Sequence, residues 1–119
     1  MNGIVLFAHG SRDPAWRAPI EAIATRMREI APGVLISCAY LELTEPDLPT
    51  CVAAMQTQGV STITIWPMFL GTGRHAREDL PRLVTDLRSR YPDITFSLRP
   101  AIGEHPAVLE AMALAALGT

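Results

Sequence analysis

A chain of 119 residues, 49% apolar and 18% charged, is one ordinary globular domain spanning 1–119, large enough to bury a core of its own. Its net charge of −2 argues against a nucleic-acid binder, and no apolar run approaches the roughly 18 residues of a membrane span. Residues 1–7 lack the basic segment of a secretion signal, and Arg12 and Asp13 follow closely, so a cytoplasmic protein without nucleic-acid or membrane partners is expected.

Residues 3–8 (GIVLFA) form a continuous apolar run, the mark of a strand buried on both faces. Asp13-Pro14 then reads as an N-cap with proline at the first helical position. Trp16, Ile20, Ile23, Met27 and Ile30 recur at spacings of three and four along one helix face, which Pro32-Gly33 ends. The second strand covers 34–41 (VLISCAYL). Thr44-Glu45-Pro46-Asp47 resembles a capping box opening a second helix, with Leu48, Cys51, Val52 and Met55 inward and Gly59 past its end. A third strand, rich in β-branched residues, covers about 60–66. The polar loop Gly71-Thr72-Gly73-Arg74 follows it. Leu80, Leu83, Val84 and Leu87 mark a third helix, supported by the pairs Glu78 with Arg82 and Asp86 with Arg90. The fourth strand covers about 94–99. A last helix opens near Pro106 and carries Val108, Leu109, Met112, Ala113, Ala116 and Leu117.

The order βαβαβαβα predicts an α/β fold, a four-stranded parallel sheet of order 2-1-3-4 with helices on both faces. After Glu110 the last helix carries no charge. Such a helix is either well buried or packed on a second copy, and a homodimer is expected. Cys38 and Cys51 are too few and too far apart for a metal knuckle or redox pair, and read as reduced and buried.

The polar residues gather at one end of this sheet. His9 directly follows the first strand, Glu42 the second, and His75 lies in the loop after the third. The C-terminal ends of parallel strands share one edge, and order 2-1-3-4 puts the switch-point crevice between strands 1 and 3. Two imidazoles and a carboxylate suit a first-row divalent ion and leave coordination positions open, as a catalytic site needs. A single loop histidine is more often solvated, and it is the shared edge that joins these three. Arg12, Arg74 and Arg77 crowd the same edge, where guanidinium groups match the carboxylates of a polyanionic substrate. Gly71 and Gly73 suggest close backbone approach to a ligand or a tight turn. They lack the GK[ST] ending or third glycine of a nucleotide loop. His105, before Pro106, reads as a helix-start residue. Ser11 has no G-x-S-x-G elbow and reads as a turn residue, with Asp13 as a cap.

Three motifs in order, His9-Gly10-Ser11-Arg12, Tyr40-Leu41-Glu42, and Gly73-Arg74-His75-Ala76-Arg77-Glu78-Asp79-Leu80-Pro81, resemble the CbiX-type sirohydrochlorin chelatases. The likeness covers nearly the whole chain. Its length resembles the short form, one domain equal to half of a two-domain enzyme, two copies of which form a homodimer. The resemblance implies a chelatase-like, flavodoxin-like half domain and a lyase acting on sirohydrochlorin in cobalamin or sirohaem synthesis, with Co²⁺ insertion for cobalamin the expected reaction. It implies His9 and His75 as metal ligands, Glu42 as the third site residue, and no cofactor or nucleotide beyond the substrate ion. The histidine-rich loop of one family variant is missing. Related short forms insert iron or nickel, so Fe²⁺ and Ni²⁺ stay open. A non-catalytic metal carrier would share His9 and His75. A flavodoxin-like signalling module would need a phosphate loop or acidic pocket where His9-Gly10-Ser11-Arg12 stands.

Overall fold

The computed structural model describes residues 1–118, apart from the side chain of His75. Its strands are β1 (Asn2–Ala8), β2 (Leu35–Tyr40), β3 (Thr62–Pro67) and β4 (Thr95–Leu98). Its helices are α1 (Ala18–Ile30), α2 (Leu48–Thr57), α3 (Arg74–Arg90) and α4 (Pro106–Leu117), with short 3₁₀ turns at Pro14–Arg17 and Ile102–Glu104. The strands form one parallel sheet in the order β2-β1-β3-β4, as predicted.

β1 is central, which is why its run is apolar without alternation: Val5, Leu6, Phe7 and Ala8 are all buried. Val5 and Phe7 face α2 and α3, packing with Leu48, Val52, Leu80 and Val84. Leu6 faces α1 on the other side, with Ile36 and Ala24.

Asp13 caps as expected, its carboxylate accepting from the Ala15 N–H at 3.0 Å. The first turn is nonetheless 3₁₀, and the α-helix proper begins at Ala18. Pro19 has no N–H for an i→i−4 bond, and its ring would collide with the Ala15 carbonyl in a continuous helix. His105 opens α4, its Nδ1 accepting from the Ala107 N–H at 3.1 Å, which agrees with a helix-start role. Cys38 and Cys51 are free thiols, and burial raises the pKa of both; Cys51 is buried and Cys38 only partly so.

Two expectations need correction. Thr44 does not cap α2. Asp47 does, accepting from the Thr50 N–H at 2.9 Å, because Pro46 disfavours helical backbone at Glu45. His75 is not in a loop. α3 starts at Arg74 with Gly73 as N-cap, so His75 lies on its first turn, where the Arg77 N–H reaches the Gly73 carbonyl at 3.0 Å. Of the two settings expected for the last helix, burial within one chain is not the one found. α4 packs chiefly on the Ile102–Glu104 turn and leaves Leu109, Met112 and Leu117 exposed. Among the described residues no helix is long and apolar enough to cross a membrane.

Candidate functional site

Hydrogen bonding does not stop where β1 and β2 end. The Leu41 N–H donates to the Ala8 carbonyl at 2.9 Å, and the Glu42 N–H to the His9 carbonyl at 3.0 Å. The two predicted site residues are thus tied backbone to backbone. Gly10 follows at φ +98, with its α-carbon pressed on the Glu42 carbonyl, where a Cβ would collide. One residue further, the Thr44 hydroxyl accepts from the Ser11 N–H at 3.0 Å and donates to the Ser11 carbonyl at 2.9 Å. That single side chain replaces a pair of ladder bonds and closes the joint between the loops.

On the other flank, the Met68 N–H donates to the Phe7 carbonyl at 2.7 Å and carries the chain from β3 past β1. Phe69 then turns inward, edge-on to Phe7 with centroids 6.4 Å apart. Its outer face meets the exposed imidazole of His9, stacked at 4.3 Å with planes 28° apart. One face of His9 is therefore covered by protein while its edge stays in solvent.

His9 and Glu42 lie at the C-terminal edge of the sheet, both exposed, and α3 brings the backbone of His75 to the same edge. Among the described residues no group of three histidine, cysteine or carboxylate side chains is placed to hold a metal ion. The third member of the predicted set, His75, has its side chain outside that description. Arg12 is exposed and lines a hollow of about 240 Å³ with Ser11, Arg17, Leu43 and Thr44. Arg77 is exposed on the first turn of α3. Arg74 is exposed too, its Nε 3.2 Å from the Glu78 carboxylate, and a pair this open costs little to exchange for another carboxylate. Gly73 has φ −66, and a Cβ there would meet only open space. The fold itself does not require glycine at this position.

Tyr40, the last residue of β2, is 2% exposed and lies beneath Trp16. Among the described residues its hydroxyl has no oxygen or nitrogen partner and faces the Cys38 thiol. Burial, with the nearby Cys38 and Glu21, pushes its pKa up to about 12, so it is a neutral phenol in any ordinary buffer.

Sequence reasoning missed Phe69, the Thr44 clamp and the packing of Gly10. Gly10 has a local signal, a glycine directly after a buried strand. Phe69 has only the apolar run Met68-Phe69-Leu70 continuing beyond Pro67.

Comparison with known proteins places this geometry in a family. The CbiX family model matches residues 3–116. The sirohydrochlorin cobaltochelatase of Methanopyrus kandleri is 33% identical over 84 residues, covering 71% of this chain and 59% of that protein. The chloroplastic sirohydrochlorin ferrochelatase of Arabidopsis thaliana is 27% identical over 109 residues, covering 92% of this chain and 48% of that protein. The chain therefore spans about half the length of these curated relatives. The crystal structure of a CbiX protein from Marinobacter aquaeolei VT8 superposes with a TM-score of 0.86 at 34% identity, covering 99% of this chain and 96% of that one. From a match running nearly end to end, and a fold shared at that score, it follows that this chain belongs to the CbiX family.

Proposed function

We propose that the chain is a sirohydrochlorin chelatase working in the cytoplasm, with Co²⁺ as its metal and cobalamin synthesis as its setting. The observation that carries this reading is the joint placement of His9, Glu42 and His75 at one sheet edge, the first two tied directly through their backbones. Support for a chelatase comes from two relatives with that activity. They differ in metal, one a cobaltochelatase and one a ferrochelatase. Imidazole and carboxylate donors suit either ion, and Ni²⁺ as well.

The reaction exchanges two pyrrole N–H protons for one divalent ion, so the site must hold the ion, present the ring and remove two protons. His9 and His75 hold the ion and pass it to the ring nitrogens. Glu42, or a histidine that has released the ion, accepts the protons. Arg12, Arg74 and Arg77 take the peripheral carboxylates of the ring, and the open side of Gly73 admits its edge. Two imidazoles and a carboxylate leave coordination positions free, which transfer to the ring requires. No nucleotide takes part.

The same reading makes the active species a homodimer. The observation behind it is that α4 has no buried residue of its own. Beside the start of α4 lies an apolar groove of about 510 Å³ lined by Leu6, Ile23, Met27, Trp66 and Val108. A second copy supplies the apolar surface that both the helix and the groove need.

The direct test is anaerobic mixing of the protein with sirohydrochlorin and Co²⁺, Fe²⁺ or Ni²⁺ in parallel, following the visible spectrum against protein-free controls. Acceleration above the control, greatest with Co²⁺, is expected. No acceleration with any of the three ions would reject the chelatase and favour a metal carrier; a greater rate with Fe²⁺ or Ni²⁺ would replace the metal alone.

A further inference from the structure

We propose that Leu43 and Leu70 are two apolar rests for the face of the substrate ring, one on each side of His9. The proposal builds on the chelatase reading and concerns which residues meet the ring itself.

Leu43 has φ +63, in the left-handed region that L side chains rarely adopt. Glycine or asparagine would sit there with less strain, so leucine is not present for the sake of the backbone. Nor is it present for the core, being 56% exposed. The strain is held from both ends. The Thr44 N–H closes a three-residue turn onto the Glu42 carbonyl at 2.7 Å, and the Thr44 hydroxyl grips Ser11. An apolar side chain kept in solvent by an enforced backbone conformation points to a ligand contact. Leu43 also borders two hollows at once, one shared with Arg12 and the other with Glu42. It therefore stands between a group proposed to bind substrate carboxylate and a group proposed to accept protons.

Leu70 shows the same construction on the opposite flank. It is 70% exposed and follows Phe69, the residue beneath His9. Gly103 is wedged against the Leu70 backbone, where any Cβ would collide, and the Gly103 N–H donates to the Phe69 carbonyl at 3.0 Å. Each leucine-bearing loop is thus braced by a glycine at close approach, Gly10 against Glu42 and Gly103 against Leu70.

The sheet order fixes how these loops sit. β2 and β3 flank β1, so the loops carrying Leu43 and Leu70 leave the sheet on either side of His9. Neighbouring strands lie about 4.8 Å apart, which separates the two flanking strand ends by about 10 Å. A tetrapyrrole is a flat, conjugated ring with carboxylates at its rim. The arginines address the rim and leave the face unserved. Two leucines on the loops that leave those strand ends would give the face apolar contact on either side of His9.

The test is the affinity for metal-free sirohydrochlorin, titrated by its visible absorption, in Leu43→Asn, Leu70→Ala and the double variant. Asparagine tolerates the left-handed backbone, so the loop keeps its course; Leu43→Gly serves as a second replacement with the same property. Each single variant is expected to raise Kd about tenfold, and the double variant about a hundredfold. Thermal stability should not fall below the parent's, the Leu43 replacements relieving backbone strain, and Co²⁺ affinity should stay at the parent value. A double variant that binds the ring as tightly as the parent overturns the proposal and leaves the chelatase reading standing. A parent that binds no sirohydrochlorin overturns both.

Discussion

The imidazole of His9 lies against the face of Phe69, ring centroids 4.3 Å apart and planes inclined by 28°. Phe69 is 7% exposed and braced on Phe7, so the stack ties an exposed imidazole to the core. Phe69→Leu removes the stack while keeping an apolar filler. An aromatic contact of this kind contributes about 0.5–1.5 kcal/mol, so kcat/KM for metal insertion should fall up to about tenfold, with Tm lowered by only a few degrees. An unchanged kcat/KM would show that the stack does not orient His9.

The joint between the His9 and Glu42 loops should be sensitive to single atoms. Gly10→Ala places a methyl group on the Glu42 carbonyl at a positive φ, and should lose about 2 kcal/mol or more in urea denaturation. Thr44→Val leaves the Ser11 N–H and carbonyl without their side-chain partner and should cost about 1–3 kcal/mol, whereas Thr44→Ser should stay close to the parent. Equal stability of the valine and serine variants would deny the clamp.

Tyr40 gives a pH signature. Its pKa is about 12 in the folded chain against 10.0 unperturbed. The folded state therefore keeps the phenol proton through a window where the unfolded state has released it. Tyr40's contribution is fully present below pH 10 and is lost as pH rises toward 12. Tyr40→Phe should flatten the fall of Tm over that window. At neutral pH it should be neutral or stabilising by about 1 kcal/mol, since it deletes a hydroxyl without an oxygen or nitrogen partner among the described residues. A parallel fall of Tm in both proteins would contradict this.

The proposed dimer is tested on α4. Leu109→Glu with Met112→Glu puts charge on its exposed apolar surface and should convert a parent dimer into a monomer in sedimentation velocity. A parent that sediments as a monomer would contradict the assembly.

Much of the fold was legible because its signals are local. The unbroken run 3–8 marked a central strand, and four apolar runs between helical patterns led to the sheet order found. The start of α3 was not legible. Residues 74–79 are polar except Ala76, whose small buried side chain gives the helical period little weight beside Leu80 and Val84. The capping box at Thr44 failed for another reason: the hydroxyl finds its partner at Ser11, 33 residues away in the chain, and a distant bond outcompetes a local rule. Phe69 matters through its contact with His9, between loops after different strands, which no spacing within one segment displays. His9 and Glu42 could be placed at one edge from topology alone, but the hydrogen bond joining them could not.

In the proposed reaction His9 and His75 deliver the metal. The most direct measurement is the initial rate of anaerobic Co²⁺ insertion into sirohydrochlorin by His9→Ala and His75→Ala, beside the parent, with circular dichroism melts on all three proteins. Each substitution should lower the rate by about a hundredfold or more with the protein still cooperatively folded, the His9→Ala melt shifting by no more than a few degrees for loss of the Phe69 stack. Parent-like rates in either variant would contradict it, and a collapsed melt with a lost rate would mark that histidine as structural.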